Sequence, residues 1–124
     1  MDPNALAARL RTFARERDWE QFHTPKNLAM ALSVEAGELM ELFQWLTPEE
    51  SRAVADDPAG ARRLQEELAD VLIYLVRLAD VLGVDLEEAV EAKLQTNAGK
   101  YPIHLAYGNA TKASRRGDEA TGSA

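Results

Sequence analysis

Four times the chain sets an aspartate or threonine directly before a proline: Asp2-Pro3, Thr24-Pro25, Thr47-Pro48 and Asp57-Pro58. Proline has a fixed φ and no N–H, so it suits the first turn of a helix. The residue before it is driven to extended backbone, where an Asp or Thr side chain caps that turn. Each pair reads as a helix start. After the first, Leu6, Leu10 and Phe13 recur at helical spacing until residues 19–23 break the pattern. The second opens a helix to about Leu46. The third, with Glu50 placed for a capping box, opens a short helix over 48–55. The fourth opens the longest helix, ended by Gly83. Asp85 and Glu88 cap a last helix, which stops near Tyr101 because Pro102 follows. No segment alternates apolar and polar residues for long enough to make a strand. The spacing predicts an all-α fold, a bundle of four to five helices.

The longest helix carries more apolar residues than one buried face needs. Leu64, Leu68, Val71, Leu72, Ile73, Leu75, Val76, Leu78, Val81 and Leu82 cover most of its circumference. Helices apolar nearly all round are buried on several sides, so the bundle is expected to be completed by oligomerisation. A central helix in a monomer is the simpler alternative. Residues 1–108 are expected to form one domain. Residues 109–124, rich in Gly, Ser, Thr, Lys and Arg, are expected to form a disordered tail.

Composition excludes several classes. There is no cysteine, hence no disulfide and no thiolate metal site. The apolar run from Val71 to Val76 is far too short to cross a bilayer, and the N-terminus has no apolar signal region, so a cytoplasmic protein without membrane partners is expected. A net charge of −7 opposes binding to nucleic acid. It is compatible with a small phosphorylated ligand that arrives with a divalent cation.

The stretch SVEAGELMELFQW, residues 33–45, sets carboxylates among core-type residues. At ~100° per residue, Glu35 and Glu38 share one face. In EELADVLIY, Glu67 and Asp70 have the same spacing, and Tyr74 and Arg77 continue their stripe. Packed antiparallel, the two helices could bring four carboxylates to one point, where they cannot all stay ionised without cations. Oxygen ligands alone suit Mg²⁺ or Mn²⁺. The plainer alternative is two solvated acidic faces. Glu41 and Glu66 fall off the stripes and fit that alternative. A di-iron bundle would need two Glu-x-x-His motifs. The chain has one, Glu20 to His23, placed at a helix break, so a di-iron site is rejected.

On the last helix Lys93, Asn97 and Lys100 form a stripe of two cations and an amide. A solvated lysine face is the ordinary explanation of such a stripe. Beside four carboxylates it suits a phosphate chain carried with a metal. Aromatic and imidazole rings gather at the helix breaks: Trp19, Phe22, His23, Trp45, Tyr74 and Tyr101. Rings so placed can stack on a nucleobase, whereas ordinary core packing explains Phe13, Phe22 and Phe43 better.

The order E-x-x-E, a spacer, then E-x-x-D resembles the signature of the all-α nucleoside triphosphate pyrophosphatases, the MazG-like proteins. The strings ERDWEQFH, ELFQW, QEELADVLIYL and KYP resemble most closely the dCTP pyrophosphatase branch. The likeness runs from about Phe13 to Tyr107. It implies Mg²⁺-dependent hydrolysis of a (deoxy)nucleoside triphosphate, dCTP or a related pyrimidine, to the monophosphate and pyrophosphate. It implies metal ligation and catalysis at Glu35, Glu38, Glu67 and Asp70. Nucleotide contacts are implied at Trp19, His23, Trp45 and Tyr74, and phosphate-side contacts at Lys93, Asn97, Lys100 and Tyr101. It also implies a homotetramer built as a dimer of dimers. The chain departs from the animal members at Leu10, where they carry a histidine near the base; a leucine cannot hydrogen-bond cytosine, which implies shallow discrimination between pyrimidines. A non-catalytic helical oligomerisation module is the alternative from another class. It accounts for the apolar fourth helix and leaves the paired carboxylates, the basic stripe and the placed tryptophans without a reason.

Overall fold

The computed structural model describes residues 1–116. The segment 117–124, within the expected tail, lies outside the described residues. Among the described residues there are six α-helices: α1 (Pro3–Glu16), α2 (Pro25–Glu41), α3 (Pro48–Arg52), α4 (Pro58–Leu82), α5 (Leu86–Lys100) and α6 (Ile103–Ala106). Short 3₁₀ turns lie at Glu20–Phe22 and Ala113–Arg115, and no strand occurs among the described residues. The fold is all-α.

All four proline starts act as the sequence requires. Asp2, Thr24, Thr47 and Asp57 each accept a hydrogen bond from a backbone N–H of the helix they open, and Thr47 with Glu50 completes the capping box. Gly83 takes the left-handed conformation (φ 70°) that ends α4, and the Val84 N–H donates back to the Ala79 carbonyl at 2.8 Å. The second helix is shorter than the expected limit near Leu46. Beyond Glu41 the chain tightens: the Phe43 N–H donates to the Met40 carbonyl and that of Leu46 to the Phe43 carbonyl, both 2.9 Å and both three residues back. Successive turns then bring the chain to the Thr47 cap.

The chain divides into two compact units, Met1–Leu86 and the residues from Glu87 onward. In the first, α4 packs against both α2 and α1. His23, just before α2, meets Arg77 near the end of α4, whereas Glu35, far along α2, meets Glu67 in the first half of α4. The two helices are therefore antiparallel. Arg11 of α1 binds Asp80 of α4. The buried core is small: Ala14, Leu28, Val76 and Ala79, together with the Arg77 side chain. Leu68 and Leu82 on α4 stay half exposed or more, at 50% and 56%. Among the described residues no helix is long and apolar enough to cross a membrane.

The second unit contains α5, α6 and the Ala113–Arg115 turn. Within it the Tyr101 hydroxyl accepts the Ala113 N–H at 3.2 Å, and the Arg116 guanidinium lies 5.3 Å from the centre of the Tyr101 ring while donating to the Lys100 carbonyl.

Candidate functional site

Antiparallel packing of α2 on α4 brings the acidic pairs together. Carboxylate oxygens of Glu35, Glu38 and Glu67 all lie within 4.8 Å of one another. Glu35 and Glu67 are partly buried, and the Oε2 atom of each is sealed from water with no hydrogen-bond partner. Charge so placed is costly. Burial first, and then the crowding of Glu38, Asp70 and Glu67, pushes the Glu35 carboxyl up to about 7. Burial also raises Glu67, helped by the Glu38 charge. Asp70 acts on both through its charge but stands outside the tight group of three. One helical turn past Glu67, it lines the neighbouring cleft instead.

That cleft has a volume of about 330 Å³ and is walled by Leu10, Phe13, Trp19, His23, Asp70, Ile73, Tyr74 and Arg77. Backbone geometry places its first ring. Asp18 adopts a left-handed conformation (φ 53°) just past α1, and the Trp19 N–H folds back onto the Ala14 carbonyl at 2.8 Å. Asp tolerates that conformation better than most residues, and the resulting helix stop swings Trp19 over α1. Trp19 meets Phe13 edge-on at 5.7 Å between centroids and His23 at 6.4 Å. An aromatic and apolar slot with one carboxylate at its edge thus adjoins a cluster of crowded carboxyl groups.

Of the residues expected at the nucleotide, Trp19, His23 and Tyr74 line this slot and Trp45 does not. Trp45 follows α2 in the turn before Thr47, is 87% exposed, and is not among the cleft residues. Lys93, Asn97, Lys100 and Tyr101 belong to the second unit, with Lys93 exposed and Asn97 and Lys100 half-buried on α5. Glu41 and Glu66 are exposed and take no part in the cluster.

What the sequence did not reveal is the floor of the cleft. Arg77 is 6% exposed; its Nε donates to His23 Nδ1 at 3.0 Å and its Nη1 to Asp80 Oδ2 at 3.0 Å. Arg11 clamps the same aspartate from α1, with Nη2 to Oδ1 at 2.6 Å and Nε to Oδ2 at 3.2 Å. The Arg11 bond above all, with the charge of Arg77, holds the Asp80 carboxyl below its usual range. Burial, and then the Arg77 charge, lowers His23. The one legible sign was the i, i+3 spacing of Arg77 and Asp80. The Arg11 partner, 69 residues away, left none.

Residues 30–115 match the MazG-like family. The chain belongs to the MazG-like family. It is 56% identical over 100 residues to dCTP pyrophosphatase 1 of Bos taurus and 54% identical to that of Homo sapiens, in each case over 81% of this chain. It spans 59% of the length of those mammalian relatives. A crystal structure of a pyrophosphatase from Archaeoglobus fulgidus superposes with a TM-score of 0.73 at 44% identity, covering 80% of this chain and 91% of that one. The family match takes in Glu35, Glu38, Glu67 and Asp70 together with Tyr74 and Arg77, so the carboxylate cluster and one wall of the cleft lie inside it.

Proposed function

We propose that the chain is a divalent-cation-dependent nucleotide pyrophosphohydrolase. It takes dCTP or a related pyrimidine deoxynucleoside triphosphate, adds water, and releases the monophosphate and pyrophosphate. The observation that carries this is the pair of sealed, partnerless carboxylate oxygens on Glu35 and Glu67 within a three-carboxylate group beside an aromatic slot. The relatives named pyrophosphatase support it.

The donor set fits a hard cation. Glu35, Glu38 and Glu67, with Asp70 at the edge, would hold Mg²⁺, or Mn²⁺, through oxygen alone. When bound, the cation supplies charge neutralisation at the phosphate oxygens and orientation of the attacking water. The residues do the rest. Trp19 and Tyr74 flank the base, His23 contacts its edge, and a carboxylate of the cluster takes the proton of the attacking water. Trp45 is the further ring for the base. Lys93, Asn97, Lys100 and Tyr101 serve the phosphates in this reading, as cationic and amide or hydroxyl donors on one helix and its end.

The working form is a homotetramer, a dimer of dimers. Half-exposed Leu68 and Leu82 on α4 support it, since apolar area of that kind is ordinarily covered by a partner. The net charge of −7 supports a protein that binds neither nucleic acid nor anionic membrane surface. The test is pyrophosphate release from a panel of deoxynucleoside triphosphates with Mg²⁺ and with a chelator. Release from pyrimidine nucleotides only with the metal is expected. Failure to release pyrophosphate from every nucleotide would leave a helical assembly module as the better description.

A further inference from the structure

Arg77 is an unexpected group to bury beneath an aromatic slot. A guanidinium is always charged and only donates. Its Nε–H is directed at His23 Nδ1, so that nitrogen must be the acceptor and cannot carry a proton. The imidazole proton is therefore on Nε2, on the opposite side of a ring that lines the cleft. Left alone, a neutral histidine exchanges between two tautomers, and a charged one donates from both nitrogens. The Arg77 contact removes both alternatives.

Arg77 is in turn held. Asp80 receives Nη1, and Asp80 is itself gripped by two nitrogens of Arg11. The chain Arg11–Asp80–Arg77–His23 links α1, α4 and the segment between α1 and α2, and these three also supply Leu10, Phe13, Trp19 and Tyr74 to the slot. The charge acting on His23 is that of Arg77, and Asp70 is the one carboxylate lining the same cleft.

We propose that Arg77, fixed by Asp80 and Arg11, is a positioning residue that locks His23 as a neutral Nε2–H donor, and that this donor receives a carbonyl acceptor on the edge of a stacked pyrimidine. Cytosine, uracil and thymine all carry such an acceptor in the 2-keto group. The donor thus selects pyrimidines as a class without ranking them, and Leu10, which also lines the cleft, adds no polar reader. The proposal rests on the nucleotide reading of the cleft for its ligand, but the histidine lock stands on the geometry of this chain alone.

The test has two arms. In the first, imidazole ¹⁵N NMR of the full chain assigns the His23 tautomer without any ligand. Wild type is expected to show an unprotonated Nδ1 and a protonated Nε2. Arg77→Met, of similar volume, is expected to show exchange between tautomers and a ring that takes up a proton more readily. In the second arm, kinetics on dCTP and dTTP with Mg²⁺ should show Arg77→Met raising KM about tenfold for both, the loss typical of one well-made hydrogen bond, and lowering kcat less. Should Arg77→Met fail to fold, Arg77→Lys keeps the charge and stem, and one ammonium cannot reproduce the two-sided fork. It should retain the helical signal yet lose the tautomer lock. A folded Arg77 variant with unchanged ¹⁵N pattern would overturn the proposal, as would an unchanged KM. Absence of turnover in wild type would sink the nucleotide reading instead, and the tautomer arm would still decide whether Arg77 sets the histidine.

Discussion

Replacing Glu35 with glutamine should stabilise the metal-free protein while destroying its use for metal. Its carboxylate oxygens lie within 4.8 Å of those of Glu38 and Glu67. One such pair repels by about 1 kcal/mol in water, and by about 3.5 kcal/mol at an effective dielectric of ~20, by Coulomb's law. Glu38 is exposed and Glu35 only partly buried, so the relief on removing one charge is about 1–3 kcal/mol, between those limits. For a chain of 124 residues this raises Tm by roughly 4–12 °C. The gain depends on pH with a definite sign. In the unfolded chain Glu35 ionises near 4.5 and in the folded chain near 7, so wild type loses stability as pH climbs from the first value through the second. Glu35→Gln lacks that loss, and its advantage should be nearly full at pH 8 and cut to about a quarter at pH 5. Mg²⁺ at a hundredfold excess over its dissociation constant should stabilise wild type by about 2.7 kcal/mol and the variant little. Differential scanning calorimetry with a chelator and with Mg²⁺, at both pH values, measures all of this. A variant less stable than wild type at pH 8 without metal would refute the crowding argument, as would a gain of equal size at pH 5.

Other expectations follow from the same geometry. Glu38→Gln and Asp70→Asn should abolish turnover with the helical circular dichroism intact, whereas Glu41→Gln, exposed and outside the cluster, should do little; equal damage at Glu41 would misplace the site. Trp19→Ala should weaken nucleotide binding by about 1–3 kcal/mol, the range for one stacked base, as read by calorimetric titration. The family resemblance gives Trp45 the same role, so Trp45→Ala should cost a like amount; a loss at Trp19 alone would confine stacking to the cleft. Because Leu10 offers no hydrogen bond, kcat/KM for dCTP, dUTP and dTTP should lie within about a thousandfold of one another, and a steeper preference for dCTP would require another polar reader of the base.

The fold was largely legible because proline fixes helix starts locally, and Asp2, Thr24, Thr47 and Asp57 each needed only their own first turn to act. The end of α2 was not, since residues 42–46 carry neither glycine nor proline; apolar spacing continues there while hydrogen bonds tighten to three residues. The meeting of Glu35, Glu38 and Glu67 followed from spacing on two helices plus one assumption, that they pack antiparallel. Asp70 shares that spacing, but its side chain is one methylene shorter than a glutamate's, and its carboxyl stands outside the group of three and lines the cleft. Arg77 was legible only as the end of the Glu67–Asp70–Tyr74 stripe, and its i, i+3 spacing to Asp80 is one that exposed ion pairs commonly share. The burial of Arg77 and Asp80 depends on His23 and Arg11, contacts that span 54 and 69 residues and leave no mark in either local pattern.

The products formed from dCTP decide whether this chain cleaves a triphosphate to monophosphate and pyrophosphate. Separation of a wild-type reaction in Mg²⁺ by ³¹P NMR should show dCMP and pyrophosphate in equal amounts, with neither formed in a chelator nor by Glu38→Gln. Formation of dCDP with inorganic phosphate would contradict the account, as would release of pyrophosphate at the same rate without a divalent cation.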